Sequence, residues 1–251
     1  HYSHLATTTY GDVVGLYNAS RGNEELGWET QKLFTVGVNI EFLKRIRLEA
    51  SFYNRKTDDL LMDVPEPSTS GYLSTPRNVA AMVNRGIDLT LNVDIFQNKD
   101  WYVNFSATCN YNKNEIKRLF NGLDEYVISS AGVRYAVGEN AFDLYLEKNS
   151  GVDSETGAPQ WEVIDADGNR SVTNDFNNAT LQMLDKPWMA PLTGGFGVNA
   201  RWKGISLGAD FVWNYGKYLI NNALIFLEDP SYAGTFNRSK RLLHMWRQPG
   251  D

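Results

Sequence analysis

The nine residues Phe34-Thr-Val-Gly-Val-Asn-Ile-Glu-Phe42 alternate without a break. In an extended chain Phe34, Val36, Val38, Ile40 and Phe42 share one side, and Thr35, Gly37, Asn39 and Glu41 share the other. A helix, with its period of 3.6, cannot sort residues in this way. The same period of two recurs over Ile46–Tyr53, Ile87–Phe96, Trp101–Tyr111, Phe196–Lys203 and Ile205–Tyr215. These segments predict six strands in three antiparallel hairpins, joined through Leu43-Lys44-Arg45, Asn98-Lys99-Asp100 and Lys203-Gly204. Between the hairpins run two long excursions. One, Leu61 to Arg85, holds Pro65, Pro67, Gly71 and Pro76; the other extends from Asn112 to Thr193. Within the second, Phe142–Glu147 and Pro159–Ile164 read as a further strand pair around the turn Gly151–Gly157.

Alternation leaves open which face is the outside, since a soluble sandwich and a membrane barrel share it. Three features point to lipid against the apolar face. The apolar faces run for about the 9 to 11 residues a tilted strand needs to cross a bilayer. Trp101, Tyr111, Trp202, Trp213 and Tyr215 stand toward segment ends, where interface girdles would place them. Short turns also alternate with long connections. The reading is an all-β, antiparallel, up-and-down transmembrane β-barrel with short periplasmic turns and long extracellular loops; a soluble β-sandwich that binds glycans is the alternative. The chain has no apolar run of about eighteen residues, so no ordinary transmembrane helix is expected. Its formal net charge of −6 supplies no basic stripe for nucleic acid, and a single cysteine, Cys109, excludes an internal disulfide framework. Starting at His1, without an initiator Met or signal pattern, the chain is expected to lack its true N-terminus.

Several ordered motifs resemble the barrel of SusC/RagA-type TonB-dependent outer-membrane transporters of Bacteroidetes. Asn23-Glu-Glu-Leu-Gly-Trp-Glu-Thr30 and Phe52-Tyr-Asn-Arg-Lys-Thr-Asp-Asp-Leu-Leu61 are similar to that family's NPNLKWET and DYYNKKTTDLL wording. Asn78–Asp88 and Tyr111–Leu119 resemble its NVGxMxNKGxE segment and NKNKIxxL strand exit, with Ala80 where Gly is usual and Asp88 where Glu is. Gly151–Pro159 is similar to its GVDPxTGxP turn, and Trp246–Asp251 to its WxxPGD. The resemblance implies a late part, residues 1–251, of a 22-stranded barrel without plug, TonB box or terminal strands. It further implies a bacterial outer-membrane importer of glycans, or in the RagA branch oligopeptides. Its partners would be a SusD-like lipoprotein as lid, TonB as energy source and outer-membrane lipid around it.

No catalytic constellation is present: neither His-Glu-x-x-His, nor a Gly-x-Ser-x-Gly elbow, nor a phosphate loop, so an enzyme is not expected and no cofactor is implied. His1 and His4 have helical ligand spacing but no third ligand nearby. Asp165-Ala-Asp167-Gly168 reads as an Asp-Gly turn rather than a calcium loop, and Asp58-Asp59 as solvated carboxylates at the end of a strand. For cargo contact the candidates are the lumen-facing residues nearest the long loops, Arg55, Asp88, Asn110 and Asn214. The loop aromatics Tyr72, Tyr126, Trp161 and Trp188 are the candidate stacking platforms; packing within the loops is their alternative role.

Overall fold

The computed structural model describes residues 4–10, 13–128, 132–229, 232 and 234–250. Two compact units emerge, one of residues 1–127, 134–142 and 190–216, the other of residues 128–133, 143–189 and 217–251. In chain order the strands are β1 (His4–Tyr10), β2 (Val13–Ser20), β3 (Thr30–Phe42), β4 (Ile46–Pro65), β5 (Ser74–Gln97), β6 (Trp101–Arg118), β7 (Glu125–Ile128), β8 (Val133–Ala136), β9 (Asp143–Glu147), β10 (Asn149–Val152), β11 (Pro159–Ile164), β12 (Arg170–Thr173), β13 (Leu181–Pro187), β14 (Leu192–Trp202) and β15 (Ile205–Tyr215). A short helix, α1 (Asn222–Glu228), follows.

The first unit is built on a six-stranded sheet of order β15-β14-β6-β5-β4-β3, antiparallel throughout. Neighbours in the sheet are successive wall strands, so the sheet is an up-and-down meander whose one long excursion lies between β6 and β14. The register carries the alternation of single strands across the whole sheet. One cross-strand row reads Val36, Phe52, Ile87, Tyr111, Leu192, Tyr215, and another Ile40, Leu48, Leu91, Ala107, Phe196, Phe211. This apolar face stands open, with Val38 55% and Leu207 73% exposed. The buried apolar residues described, among them Val64, Val83, Ile116 and Leu119, gather instead toward the long-loop ends of the strands, where Met62, Tyr126 and Tyr135 pack on the Ile116–Leu119–Ala141 cluster. A continuous apolar face of this kind needs an apolar medium or an apolar partner against it.

At the turn end, Leu43 and Lys44 both adopt positive φ (54° and 56°), and Arg45 N–H donates to Phe42 O at 3.1 Å. Two successive positive-φ residues give the twist that a tight hairpin needs. Asn98 closes the second turn with its side chain, whose Oδ1 accepts from the backbone N–H of Asp100 and Trp101 at 2.9 and 2.7 Å. Trp101 and Trp202 stack beside these turns with centroids 5.6 Å apart.

The structure corrects the sequence reading in four places. The Leu61–Arg85 excursion is mostly strand, because β4 and β5 stay paired as far as Pro65 and Ser74, leaving a tip around the 3-10 turn Ser68–Ser70. Pro76 fits there because β6 reaches only as far as Ala81, so β5 is an edge at that height. Phe142–Glu147 and Pro159–Ile164 do not pair with each other. β9 pairs with β13, while β11 lies between β10 and β12. The Gly151–Gly157 turn belongs to the β10–β11 hairpin, whose first strand Asn-Ser-Gly-Val is wholly exposed and too short to show a period. Finally, β1 and β2 form a separate two-stranded sheet in a stretch to which the sequence reading assigned no element.

Candidate functional site

The polar face of the six-stranded sheet is as continuous as the apolar one. Gly37, Ser51, Asp88, Asn110, Thr193 and Asn214 form a single cross-strand row, so three of the four residues singled out from sequence share one level of the wall. At about 4.8 Å per strand, Asp88 and Asn214 stand roughly 14 Å apart along it. Arg55 lies two rows nearer the loops, on the level of Asn84 and Asn114, with its guanidinium 5.9 Å from the centre of the Tyr53 ring.

Tyr53 joins these levels. Its hydroxyl donates to Asn112 Oδ1 at 3.0 Å and accepts from Asn110 Nδ2 at 3.4 Å, and Asn110 also donates to Asp88 Oδ1 at 2.6 Å. Asn112 and Asn114 both donate to Asn84 Oδ1, at 3.2 and 3.0 Å. The result is a sheet-spanning network of amides, a phenol and a carboxylate that can donate to and accept from hydroxyls or peptide groups. Sequence reasoning missed Tyr53, Asn84, Asn112 and Asn114, although Asn110-Tyr-Asn-Lys-Asn114, with an amide at every second position, was the available signal. Tyr53 crosses the wall over Gly86, where a Cβ would collide with both the phenol and the Tyr111 carbonyl. Gly86→Val in the full-length protein is therefore expected to cost about 1 to 3 kcal/mol. Gly37→Val on the same face meets only ordinary contacts at 3.6 Å and is expected to cost much less. Urea midpoints of the two variants compare them directly, and equal midpoints would refute the packing role of Gly86.

Near the tip of the β4–β5 hairpin, the segment before β3 docks through Asn78. Its Oδ1 accepts from Gly27 N–H at 2.8 Å, and its Nδ2 donates to Gly27 O at 3.0 Å and to Asp59 O at 2.8 Å. Asp59 sits at positive φ where β4 bulges, so the side chain of Asn78 substitutes for a missing strand partner. A polar groove of about 430 Å³ opens beside it, lined by Arg21, Asn23, Glu25 and Arg77 among others. The Arg77 guanidinium, 2.7 Å from Glu66, holds that carboxyl below its usual range. Asp58 and Asp59 are ion-paired, with Lys56 at 2.8 Å and Arg118 at 3.3 Å.

The loop aromatics separate by role. Tyr72 follows the hairpin tip, its N–H bonded to Ser70 Oγ at 3.2 Å. Tyr126 is no open platform: it packs on the Ile116 cluster with its ring edge-on to Phe120 at 5.0 Å. In the second unit Trp161 is half-buried and edge-on to Phe176 at 4.9 Å, and Trp188, just beyond β13, is 43% exposed. Beside Trp161, Glu162 takes Lys148 at 2.5 Å and Arg170 at 2.6 Å, and the bond from Lys148 leads in lowering its pKa. Asp165 is a turn residue, as read from sequence, accepting from Asp167 and Asn169 N–H at 3.0 and 2.9 Å beside Gly168 at φ +84°. Among the described residues no group of three or more His, Cys, Asp or Glu is placed to hold a metal; His1 of the His1–His4 spacing lies outside them.

Comparison with known proteins gives this wall its context. The family described as TonB dependent receptor-like, beta-barrel, matches residues 3–235. TonB-dependent receptor P3 of Formosa agariphila is 24% identical over 257 residues, covering 93% of this chain and 25% of its own. SusC of Bacteroides thetaiotaomicron is 32% identical over 136 residues, covering 52% of this chain and 13% of its own. A structure of the RagAB peptide transporter superposes with a TM-score of 0.85 at 39% identity, over 98% of this chain and 28% of that one. The chain thus spans about a quarter or less of the length of these relatives. The match overturns the soluble β-sandwich reading, and in an outer-membrane barrel the apolar face of the wall meets lipid while the polar face lines the lumen. The chain belongs to the TonB dependent receptor-like β-barrel family of the outer membrane, in its SusC/RagA type.

Proposed function

We propose that this chain is a sector of the barrel wall of an outer-membrane importer whose cargo is an oligomeric nutrient, a glycan or an oligopeptide. The observation that carries the proposal is the lumen-side network of Asp88, Asn110, Asn112, Asn84 and Tyr53. A wall that offers amide, phenol and carboxylate donors and acceptors in a register of rows suits a cargo carrying repeated hydroxyls or peptide groups. The 39% identity to the RagAB peptide transporter, against 32% over a shorter stretch to SusC, favours the oligopeptide. On this reading the long connections face outward, a SusD-like lipoprotein closes over them, and TonB supplies energy through parts of the parent protein outside this chain. The wall acts by binding and guiding, with no covalent step.

Uptake measurements test it. A strain deleted for the full-length gene should lose import of fluorescent oligopeptides, or of oligosaccharides if the glycan reading is right, and a tagged parent protein should co-purify with a lipoprotein. Restoring the gene with Asp88→Ala and Asn110→Ala should return the protein to the membrane with uptake reduced severalfold. Undiminished import of both cargo classes in the deletion strain would refute the proposal.

A further inference from the structure

Two of the motifs, Gly151–Pro159 and the one that opens at Trp246, meet in the second unit through Ser154 and Trp246, 92 residues apart in the chain. The indole Nε1–H of Trp246 donates to Ser154 O at 2.9 Å, and Gly250 N–H donates to the same oxygen at 3.0 Å, so one carbonyl uses both lone pairs. The ring itself covers Gly157, which sits at φ +71° and where a Cβ would run into the indole. The turn that receives the ring is already closed on itself. Asp153 Oδ1 accepts from Glu155 and Thr156 N–H at 2.9 Å each, its carbonyl accepts from Gly157 N–H at 2.9 Å, and its own N–H donates to Ala158 O at 2.9 Å. The Thr156 and Glu155 donors, Thr156 foremost, hold the Asp153 carboxyl below its usual range.

In the chain, Ser154 precedes the β14–β15 hairpin and Trp246 follows it. We propose that Trp246 is a strap: seated on Gly157 and bonded to Ser154, it binds the segment after β15 to the β10–β11 turn, so that the two long connections flanking the β14–β15 hairpin open and close as one body. An event on either connection, a contact with cargo or with a lid, is then felt by the other, because opening one requires releasing the indole. The inference goes beyond the proposed function and does not depend on what the cargo is.

Hydrogen–deuterium exchange on the full-length protein in detergent tests the strap. In Trp246→Ala the amides of Asn149–Thr173 are expected to exchange about tenfold faster. Those of β3 and β4 should keep the parent rate, which reports an intact wall. Gly157→Ala, which puts a methyl group into the ring's seat, should accelerate residues 240–250 by a similar factor. Trp246→Phe, which keeps a ring and loses the N–H donor, should fall between parent and Trp246→Ala. Should Trp246→Ala fail to fold, Gly157→Ala and Trp246→Phe carry the test. Acceleration confined to the mutated side of the contact, with the opposite segment at the parent rate, overturns the strap.

Discussion

Val38→Arg in the full-length protein is expected to cost about 2 to 4 kcal/mol, while Asn39→Arg costs far less. The two positions are neighbours at one depth and differ only in face. Val38 shares a row with Ala50, Leu89, Cys109 and Gly194 on the lipid side. Asn39 shares one with Glu49, Thr90 and Thr108 on the lumen side, where a guanidinium keeps its water and has a carboxylate in the row. An arginine at position 38 must instead snorkel or draw water into hydrocarbon. Folding titrations in urea with lipid vesicles measure both variants, and equal losses would reverse the assignment of faces.

The second large effect is one of sidedness. Barrels of this membrane keep short turns on the periplasmic side and long connections outside. In a background with Cys109→Ser and any other thiols of the full-length protein removed, a reagent that cannot cross the outer membrane is expected to label Ser70→Cys and Asn177→Cys fully on intact cells and to leave Lys99→Cys untouched until the membrane is opened. Ser70 ends the 3-10 turn at the tip of the β4–β5 hairpin, Asn177 lies in the turn between β12 and β13, and Lys99 occupies the opposite, three-residue turn between β5 and β6. The reverse pattern of labelling would invert the barrel and place the Asp88–Asn214 row at the wrong end of the path. The same result would remove the outward location that the proposed lid requires.

How much of this was legible in sequence follows from what alternation encodes. Period two assigns each side chain to a face, and six segments with the same parity could be read as one wall before any pairing was known. That reasoning reached Asp88, Asn110 and Asn214, which do occupy one row, and Arg55 two rows above it. It stopped at Tyr53, because a phenol that reaches from β4 to β6 depends on the side chain it crosses being hydrogen, and nothing within β4 announces Gly86. For Tyr126 it left a ligand platform and packing within the loops side by side, since a loop aromatic carries no mark of the Ile116 cluster on which it packs.

The amino-acid sequence by itself determined the two faces, the tight turns and the hairpins that those turns close, because each of these rests on residues within a few positions of one another. Only the tertiary structure decided which strands meet inside the long connections. β9 passes over β11 to pair with β13, Asn78 brackets Gly27 across 51 residues, and Trp246 settles on Gly157. The physical reason is that alternation specifies a face and leaves the partner open. For four- to seven-residue strands with little apolar pattern, the partner is chosen by hydrogen bonds and ring contacts between distant segments, which form only once the whole chain is in place.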